Sequence, residues 1–215
     1  MVVVKWWGHA CFEVRDSVIV VTDPHDGKSV GGMPVPHVKA DIILVSHGHE
    51  DHASGKNFVT KSDSKILDKA GTNEVKGVKV KGVATFHDDA GGKKRGNNIV
   101  FVFEVDGIRF AHLGDLGHVL LDREAEEIKP IDVLMIPVGG YYTIDAVTAT
   151  VVAGKLNPKI IIPMHYKVKG LDFPISDVEP FLKGKNNIKR LRKSEVTYSK
   201  MELPAKTEID VFSLE

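Results

Sequence analysis

The chain has 215 residues, and its 29 basic and 29 acidic side chains give it a formal charge of zero. Hydrophobic residues make up 42% of the sequence and charged residues 27%, a balance that excludes disordered, collagen-like and coiled-coil chains. This length predicts one domain over residues 1–215. Because the net charge is zero, no global electrostatic attraction favours nucleic acid or an anionic membrane as the partner.

Cys11 is the only cysteine, so no disulfide forms within the chain and a metal site made of cysteines alone is excluded. The apolar run from Met1 to Trp7 is too short for the core of a signal peptide. No apolar stretch approaches the roughly 20 residues that a bilayer crossing needs. We therefore expect a cytoplasmic protein without membrane contact, and the sequence leaves homo-oligomerisation open.

Short runs rich in β-branched residues, separated by turn residues, predict strands along the chain. Several are apolar at consecutive positions, which indicates strands that are covered on both faces. Asp106-Gly107 predicts a two-residue turn between an antiparallel pair, whereas residues 61–81, rich in lysine and glycine, favour no particular element. The predicted strands are Val2–Trp7, Val18–Val21, Ile42–Val45, Val78–Phe86, Ile99–Val105, Ile108–Leu113, Val133–Val138 and Ile160–Ile162.

Helical periodicity predicts three helices, at about Leu121–Ile128, Asp145–Leu156 and Asp177–Leu182. Thr143 is the predicted N-cap of the second helix, because its hydroxyl can accept a hydrogen bond from an N–H group in the first turn. Asn157-Pro158 is predicted to end the same helix.

The segment from Ser46 to His52 carries three histidines and two carboxylates within six residues. Histidine and aspartate are costly to bury without partners, whereas a divalent cation is a natural partner for neutral imidazole and carboxylate. In extended backbone, alternate side chains point the same way, so His47 and His49, and Asp51 if the strand continues, can converge. His52 needs a turn there. The segment predicts a metal site, and the alternative is a solvent-exposed polar loop.

Five of the apolar runs reach a histidine or an aspartate where the strand ends. In open α/β architectures, functional sites gather outside the carboxyl ends of strands, so these side chains are expected to form the walls of one shared site. This pattern supports a metal site independently of the local motif. The residues at these ends are Asp23, His47, His87, Asp115 and His165.

Several separate motifs follow one another in an order that resembles the metallo-β-lactamase-fold hydrolases, and the resemblance covers nearly all of the chain. These motifs are His47-x-His49-x-Asp51-His52, then His87, then Gly114-Asp115, then His165. Four flanking segments resemble the branch that contains the ascorbate-6-phosphate lactonases. They are Gly8–Phe12, Asp23-Pro24, Pro137–Gly140 and Pro163–Tyr166.

This resemblance implies an α/β fold with four layers, an αββα sandwich, and a pair of divalent metal ions. The implied ligands are His47, His49 and His87 for the first metal and Asp51, His52 and His165 for the second, with Asp115 bridging both. Such nitrogen and oxygen donors suit zinc, and also manganese, iron or nickel. A redox di-iron centre fits less well, because that use of the fold typically replaces the second motif histidine with an acid, whereas His49 is retained.

Two divalent cations about 3.5–4 Å apart can share a water, lower its pKa towards about 7 and present a bridging hydroxide to carbon or phosphorus. Asp51 and Asp115, as ligands of such a centre, are the predicted catalytic carboxylates. His9 is the predicted general acid, because the turn that contains it recurs near the site in the resembling branch. Asp23 is predicted either to orient a ligand histidine or to act directly. The weaker candidates for the general acid are His25, His112 and His118.

The basic loop Gly91–Gly96 follows His87 closely, and Arg95 within it is a predicted contact for a phosphate or carboxylate of the substrate. Tyr142 is a second predicted substrate contact. The alternatives are a solvated hairpin tip for the loop and aromatic packing for the tyrosine.

The sequence as a whole predicts a metal-dependent hydrolase of a small, anionic ester, lactone or phosphodiester. One alternative is an RNA or DNA phosphodiesterase of the same fold, although the chain shows no obvious long insertion to hold a polymer. The other alternative is a non-catalytic, metal-binding regulatory module.

Overall fold

Two β-sheets lie face to face in the computed structural model, which describes residues 1–214. The strands are β1 (Val2–Gly8), β2 (Cys11–Arg15), β3 (Ile19–Thr22), β4 (Ile42–Leu44), β5 (Lys65–Leu67), β6 (Gly71–Val75), β7 (Val78–Phe86), β8 (Asn97–Val105), β9 (Ile108–His112), β10 (Val133–Pro137), β11 (Ile160–Met164), β12 (Ile188–Arg190), β13 (Glu195–Tyr198) and β14 (Glu208–Val211). The helices are α1 (Glu50–Ala53), α2 (Lys56–Val59), α3 (Asp122–Ile128), α4 (Ala146–Leu156) and α5 (Glu179–Leu182).

Both sheets combine parallel and antiparallel strands. The first sheet has the order β13, β1, β2, β3, β4, β5, and the second has the order β12, β14, β11, β10, β9, β8, β7, β6. Strands β3 to β5 are parallel to one another, as are the strands from β12 to β9 in the second sheet. The remaining neighbours are antiparallel. Within each sheet, the carboxyl ends of the parallel strands lie on the same side.

The side chains of β4 show why the first sheet is covered on both faces. Ile42 and Leu44 lie in the main core between the two sheets, whereas Ile43 lies in a separate cluster that also contains Val59 of α2. On the second sheet, α3 contacts β7, α4 contacts β10, and α5 packs on α4. Helices therefore flank both sheets, and the predicted αββα sandwich is confirmed.

All eight predicted strands are present, and their ends differ from the prediction by a residue or two. The predicted hairpin is confirmed, because Val105 of β8 pairs with Ile108 of β9 in an antiparallel ladder. The prediction missed β2, β5, β6, β12, β13 and β14. Most of these strands are short and carry charged, exposed side chains, so they lack the apolar run on which the prediction depends.

The three predicted helices are present as α3, α4 and α5, and α5 is shorter than predicted. The prediction of Thr143 as the N-cap of α4 is wrong. Because α4 begins at Ala146, the residue that directly precedes it is Asp145, whose carboxylate accepts a hydrogen bond from the N–H of Thr148. The predicted end is confirmed, since Asn157 is the left-handed C-cap. With 11 residues α4 is the longest helix among residues 1–214, and none there is long and apolar enough to span a bilayer.

A buried polar pair links the two sheets. Tyr198 of β13 donates a hydrogen bond of 2.6 Å to the carboxylate of Asp210 in β14. Asp210 is 4% exposed, and its second carboxylate oxygen has no hydrogen-bond partner within the described part of the chain. Burial raises the pKa of Asp210, because a low-dielectric surrounding favours the neutral acid.

We expect Asp210→Asn to gain stability relative to the unsubstituted protein as the pH rises from about 4 to about 7. Asp210 has a higher pKa in the folded state than the unfolded value of about 3.9, so its ionisation above that pH costs the folded protein stability. Asparagine does not titrate and escapes this loss.

Urea unfolding of both proteins across this pH range measures the difference in their free energies of unfolding. Asn57→Ser, an exchange of two side chains that do not titrate at an exposed position, serves as the control and should show a difference that does not change with pH. A stability difference for Asp210→Asn that also does not change with pH would contradict the raised pKa of Asp210.

Candidate metal centre

The candidate metal centre lies where strands of both sheets end. In the second sheet, His87 directly follows β7 and His165 directly follows β11, while Asp115 lies three residues beyond β9. In the first sheet, His47 follows β4. The two sheets therefore bring together side chains that are far apart in the chain, as the pattern at the strand ends predicts.

The contiguous motif is divided between an extended segment and a helical turn. His49 is extended (φ −66°, ψ 151°) and is the N-cap residue of α1, which begins at Glu50. The rings of His47 and His49 are perpendicular and meet edge to face, with their centroids 4.7 Å apart. Asp51 reaches the site from the helical turn instead of from a continuing strand, and it therefore joins a different group of side chains.

The candidate ligands fall into groups in which each residue offers one ligand atom, and these atoms lie within 4.8 Å of one another. One group is His47, His49 and His87, a second is His9, Asp51, His52 and His165, and a third is His47, His52 and Asp115. The structure thus brings together all seven residues predicted as metal ligands. It also adds His9, which the sequence suggested only as a general acid.

Asp115 lies between the first two groups. Its Oδ2 is 3.2 Å from His87 Nε2 and 3.4 Å from His165 Nε2. Its Oδ1 is 3.2 Å from His52 Nε2. Burial opposes ionisation of this carboxyl, but the imidazoles of His165 and His52 hold its pKa well below the usual range. Asp115 is therefore an anion at neutral pH, at the position where a bridging ligand would lie.

Buried hydrogen bonds hold the turn that carries Asp115. The side-chain carbonyl of Asn98 accepts from the N–H of Asp115 at 2.9 Å, and its amide group donates to the carbonyl of Leu113 at 3.0 Å. Gly114 has a φ of +54°, and a Cβ atom there would lie 2.4 Å from Oδ1 of Asn98. A side chain at this position would displace the amide that holds Asp115.

Asp23 supports the motif from the end of β3. Its carboxylate accepts hydrogen bonds from the N–H of Ser46 at 2.7 Å and from the hydroxyl of Ser46 at 2.6 Å. It also lies 2.9 Å from Nδ1 of His52. A carboxylate that accepts from one ring nitrogen fixes the tautomer and directs the other nitrogen, here towards Asp115. Asp23 therefore orients a candidate ligand, which is one of its two predicted roles.

His9 is completely buried beside the second group. Its Nε2 lies 3.0 Å from Oδ2 of Asp51, and its ring centroid is 4.0 Å from that of His165. Burial and the neighbouring His165 lower the pKa of His9 to about 3. The neutral ring donates to Asp51 through Nε2 and leaves Nδ1 without a hydrogen-bond partner among residues 1–214. Its role as a general acid stays a prediction.

The other three histidines that were weaker candidates bind backbone groups through both ring nitrogens. His25 contacts the carbonyl of Trp7 and the N–H of Gly27, and His112 contacts the carbonyl of Ala10 and the N–H of Gly114. His118 accepts from the N–H of Phe86 and contacts the carbonyl of Val119. These contacts make each ring part of the scaffold around the site.

The donor set fits divalent cations. His47 Nε2 is buried and has no hydrogen-bond partner in the described residues. His52 Nε2 and Asp115 Oδ1 are buried 3.2 Å apart, but neither makes a well-aligned hydrogen bond with any described residue. Such atoms are costly unless something else satisfies them. Burial and the neighbouring His52 lower the pKa of His47 to about 3, so this ring is neutral, which is the form that ligates metals. One cation at the first group and one at the second would satisfy these atoms.

The centre opens into a cleft of about 390 Å³. Both predicted substrate contacts line it, and the guanidinium carbon of Arg95 lies 5.6 Å from the centre of the Tyr142 ring. Phe173, Ser29 and Glu50 also line it. Glu50 belongs to the predicted motif, although the sequence assigned it no role. The sequence indicated neither Phe173 nor Ser29, because no local motif marks them.

Asp88 holds the loop that carries Arg95. One of its carboxylate oxygens accepts from the N–H groups of Ala90 and Gly92, and the other accepts from those of Lys94 and Arg95, at distances of 2.7–2.9 Å. These bonds lower the pKa of Asp88 against the effect of its burial. The predicted basic loop is thus an ordered turn in which Arg95 has a defined position.

A family model described as the beta-lactamase superfamily domain matches residues 3–165. The chain belongs to the metallo-β-lactamase superfamily. Within this superfamily it is 33% identical over 190 residues to a UPF0173 metal-dependent hydrolase of Thermoplasma volcanium, covering 75% of this chain and 82% of the relative. It is 31% identical over 191 residues to another from Thermococcus onnurineus, covering 77% of this chain and 85% of the relative.

Among solved structures, a candidate Zn-dependent hydrolase of the metallo-β-lactamase superfamily from Thermotoga maritima is similar over nearly its whole length. The TM-score is 0.83 at 42% sequence identity, and the match covers 99% of this chain and 98% of that one. These similarities confirm the predicted family, the predicted fold and the prediction of a metal-dependent hydrolase.

We expect Asp23→Asn to weaken zinc binding by about 10- to 100-fold, because changes to the partners of ligating histidines have effects of that size. Competition with a chromophoric chelator measures the affinity. Asp26→Asn is the matched control, since its carboxylate accepts from Ser29 in the same loop and should leave affinity unchanged. Equal affinities for the two variants would show that Asp23 does not orient a ligand.

Proposed function

We propose that this protein uses two divalent metal ions, zinc first among them, to hydrolyse a small anionic ester, lactone or phosphodiester. The observation that carries the proposal is the position of Asp115, a buried carboxylate between two groups of imidazoles at the base of a cleft. A carboxylate with a histidine group on each side suits a pair of cations better than a single one.

His47, His49 and His87 would hold one cation, and Asp51, His52 and His165 would hold the other, with Asp115 between them. Bound cations of this kind supply a water of lowered pKa and stabilise negative charge that develops on the substrate. Asp23 and Asn98 keep His52 and Asp115 in place through the hydrogen bonds described above. His9 donates to Asp51 and would hold that carboxylate towards the second cation. To act as the predicted general acid its ring would first have to gain a proton, because burial keeps it neutral at pH 7.

The walls of the cleft support a small anionic substrate. A volume of about 390 Å³ is in the range of small-molecule sites, roughly 300–1,000 Å³. Arg95 forms no ion pair with any carboxylate of residues 1–214, so its guanidinium is available for a phosphate or carboxylate of the substrate. Tyr142 and Phe173, whose ring centroids are 6.0 Å apart, offer an apolar surface beside it.

Replacing Asp115 with asparagine should reduce hydrolysis by more than about 100-fold, because the amide cannot bridge two cations as a carboxylate does. A panel of p-nitrophenyl acetate, a γ-lactone and bis(p-nitrophenyl) phosphate, each with added zinc, manganese or nickel, identifies the reaction to follow. Asp68→Asn is the control, and circular dichroism shows that each variant is folded. Wild-type rates in Asp115→Asn would overturn the proposal.

The same panel separates the alternatives. A metal-loaded protein that turns over no member of it would favour a non-catalytic metal-binding module. Tight RNA binding that weakens steeply with salt would favour an RNA phosphodiesterase.

Arg95→Gln should raise the KM for an anionic substrate of the panel by about tenfold and leave kcat little changed, because it removes a charge that binds substrate and transition state alike. Arg95→Lys should have a smaller effect, since it keeps the charge and loses the planar fork. Steady-state kinetics on a neutral ester provides the control. If the KM for the neutral ester rises equally, Arg95 does not recognise the anion.

A further inference from the structure

A second cavity of about 450 Å³ lies beside Tyr166 and shares no lining residue with the cleft. Its lining combines apolar side chains, among them Trp6, Tyr166, Val211 and Phe212, with three basic ones. We propose that it binds a small amphiphile with an anionic head and an apolar tail. The proposal does not depend on the function of the metal centre.

Buried apolar side chains supply a surface for the tail. Trp6, Tyr166, Val211 and Phe212 are exposed by 2%, 5%, 6% and 4%, so their positions are set by the core. The rings of Trp6 and Tyr166 have centroids 5.5 Å apart. The indole N–H of Trp6 donates to the carbonyl of His9 at 3.1 Å, which fixes the orientation of the ring. A cavity with such a rigid apolar surface suits a ligand with a hydrocarbon or aromatic part.

The exposed residues of the cavity carry positive charge, which favours an anionic head group. Three cations and no acidic side chain line it. Arg190 is held by Glu179 through two contacts of 2.8 Å. Arg192 and Lys169, in contrast, form no ion pair with a carboxylate anywhere in residues 1–214. An anionic head placed between these two cations would gain charge-assisted hydrogen bonds while its tail leaves water.

Trp6 makes the proposal testable by fluorescence. The chain has two tryptophans, so Trp7→Phe leaves Trp6, which lines the cavity, as the sole indole. Decanoate is the probe, and decan-1-ol and decyltrimethylammonium carry the same tail with a neutral and a cationic head. All three are titrated below the concentrations at which they form micelles. We expect a saturable change in Trp6 emission with decanoate, at least tenfold weaker binding of the alcohol and no response to the cation.

Charge reversal locates the head group. Arg192→Glu and Lys169→Glu should each weaken decanoate binding at least tenfold. Lys193→Glu makes the same charge change on a neighbouring exposed residue that does not line the cavity and should have no effect. Arg95→Gln should also have no effect, which distinguishes this cavity from binding of the carboxylate in the cleft.

Calorimetric titration of the unsubstituted protein with decanoate gives the affinity without reliance on the Trp7→Phe background. Equal binding of decanoate and decan-1-ol would overturn the proposal. So would the absence of saturable binding, insensitivity to both charge reversals, or loss of binding in Arg95→Gln.

Discussion

The site depends on one electrostatic arrangement, the buried carboxylate of Asp115 among the imidazoles of four histidines. A carboxylate in this position is expensive unless positive charge or donors surround it, and buried imidazoles are equally costly as cations. The protein has therefore gathered groups that are stable together only when a shared proton or a metal ion compensates them. The same arrangement keeps His47 in its neutral form while Asp115 stays ionised, which is the combination that a metal requires.

Residues around the centre hold the candidate ligands in position through hydrogen bonds. Asp23, Ser46 and Asn98 each use buried hydrogen bonds to fix a turn or a ring that faces the centre. The sandwich makes this possible because the strands that end here are covered on both faces, so core packing sets the backbone positions from which these turns begin. Gly114 shows how closely the segments that follow β9 and β4 approach each other, since a Cβ atom there would also lie 2.5 Å from the Cβ of Ser46.

The parts of the structure that the sequence predicted are those with a local signal. The motif from His47 to His52 is contiguous. The strands that lead to His87, Asp115 and His165 are predicted by their apolar composition. Phe173 lines the cleft from the loop that follows His165, and no local pattern marks it. The choice between Thr143 and Asp145 as a helix cap depends on the residue at which the helix begins, which periodicity defines too coarsely. The short, charged edge strands β12 and β13 were missed because they resemble loops in composition.

Net charge proved a poor guide to local charge. Twenty-nine positive and twenty-nine negative side chains cancel over the whole molecule, yet they pair unevenly on its surface. Lys94 is paired with Asp89, whereas Arg95, the next residue, lines the cleft without a carboxylate partner in residues 1–214. Asp88, although it is also acidic and lies in the same loop, accepts from backbone N–H groups of the loop and forms no ion pair with the guanidinium. A neutral protein can therefore present a defined cation at a cavity, and recognition of an anion depends on which cations remain unpaired at a concave surface.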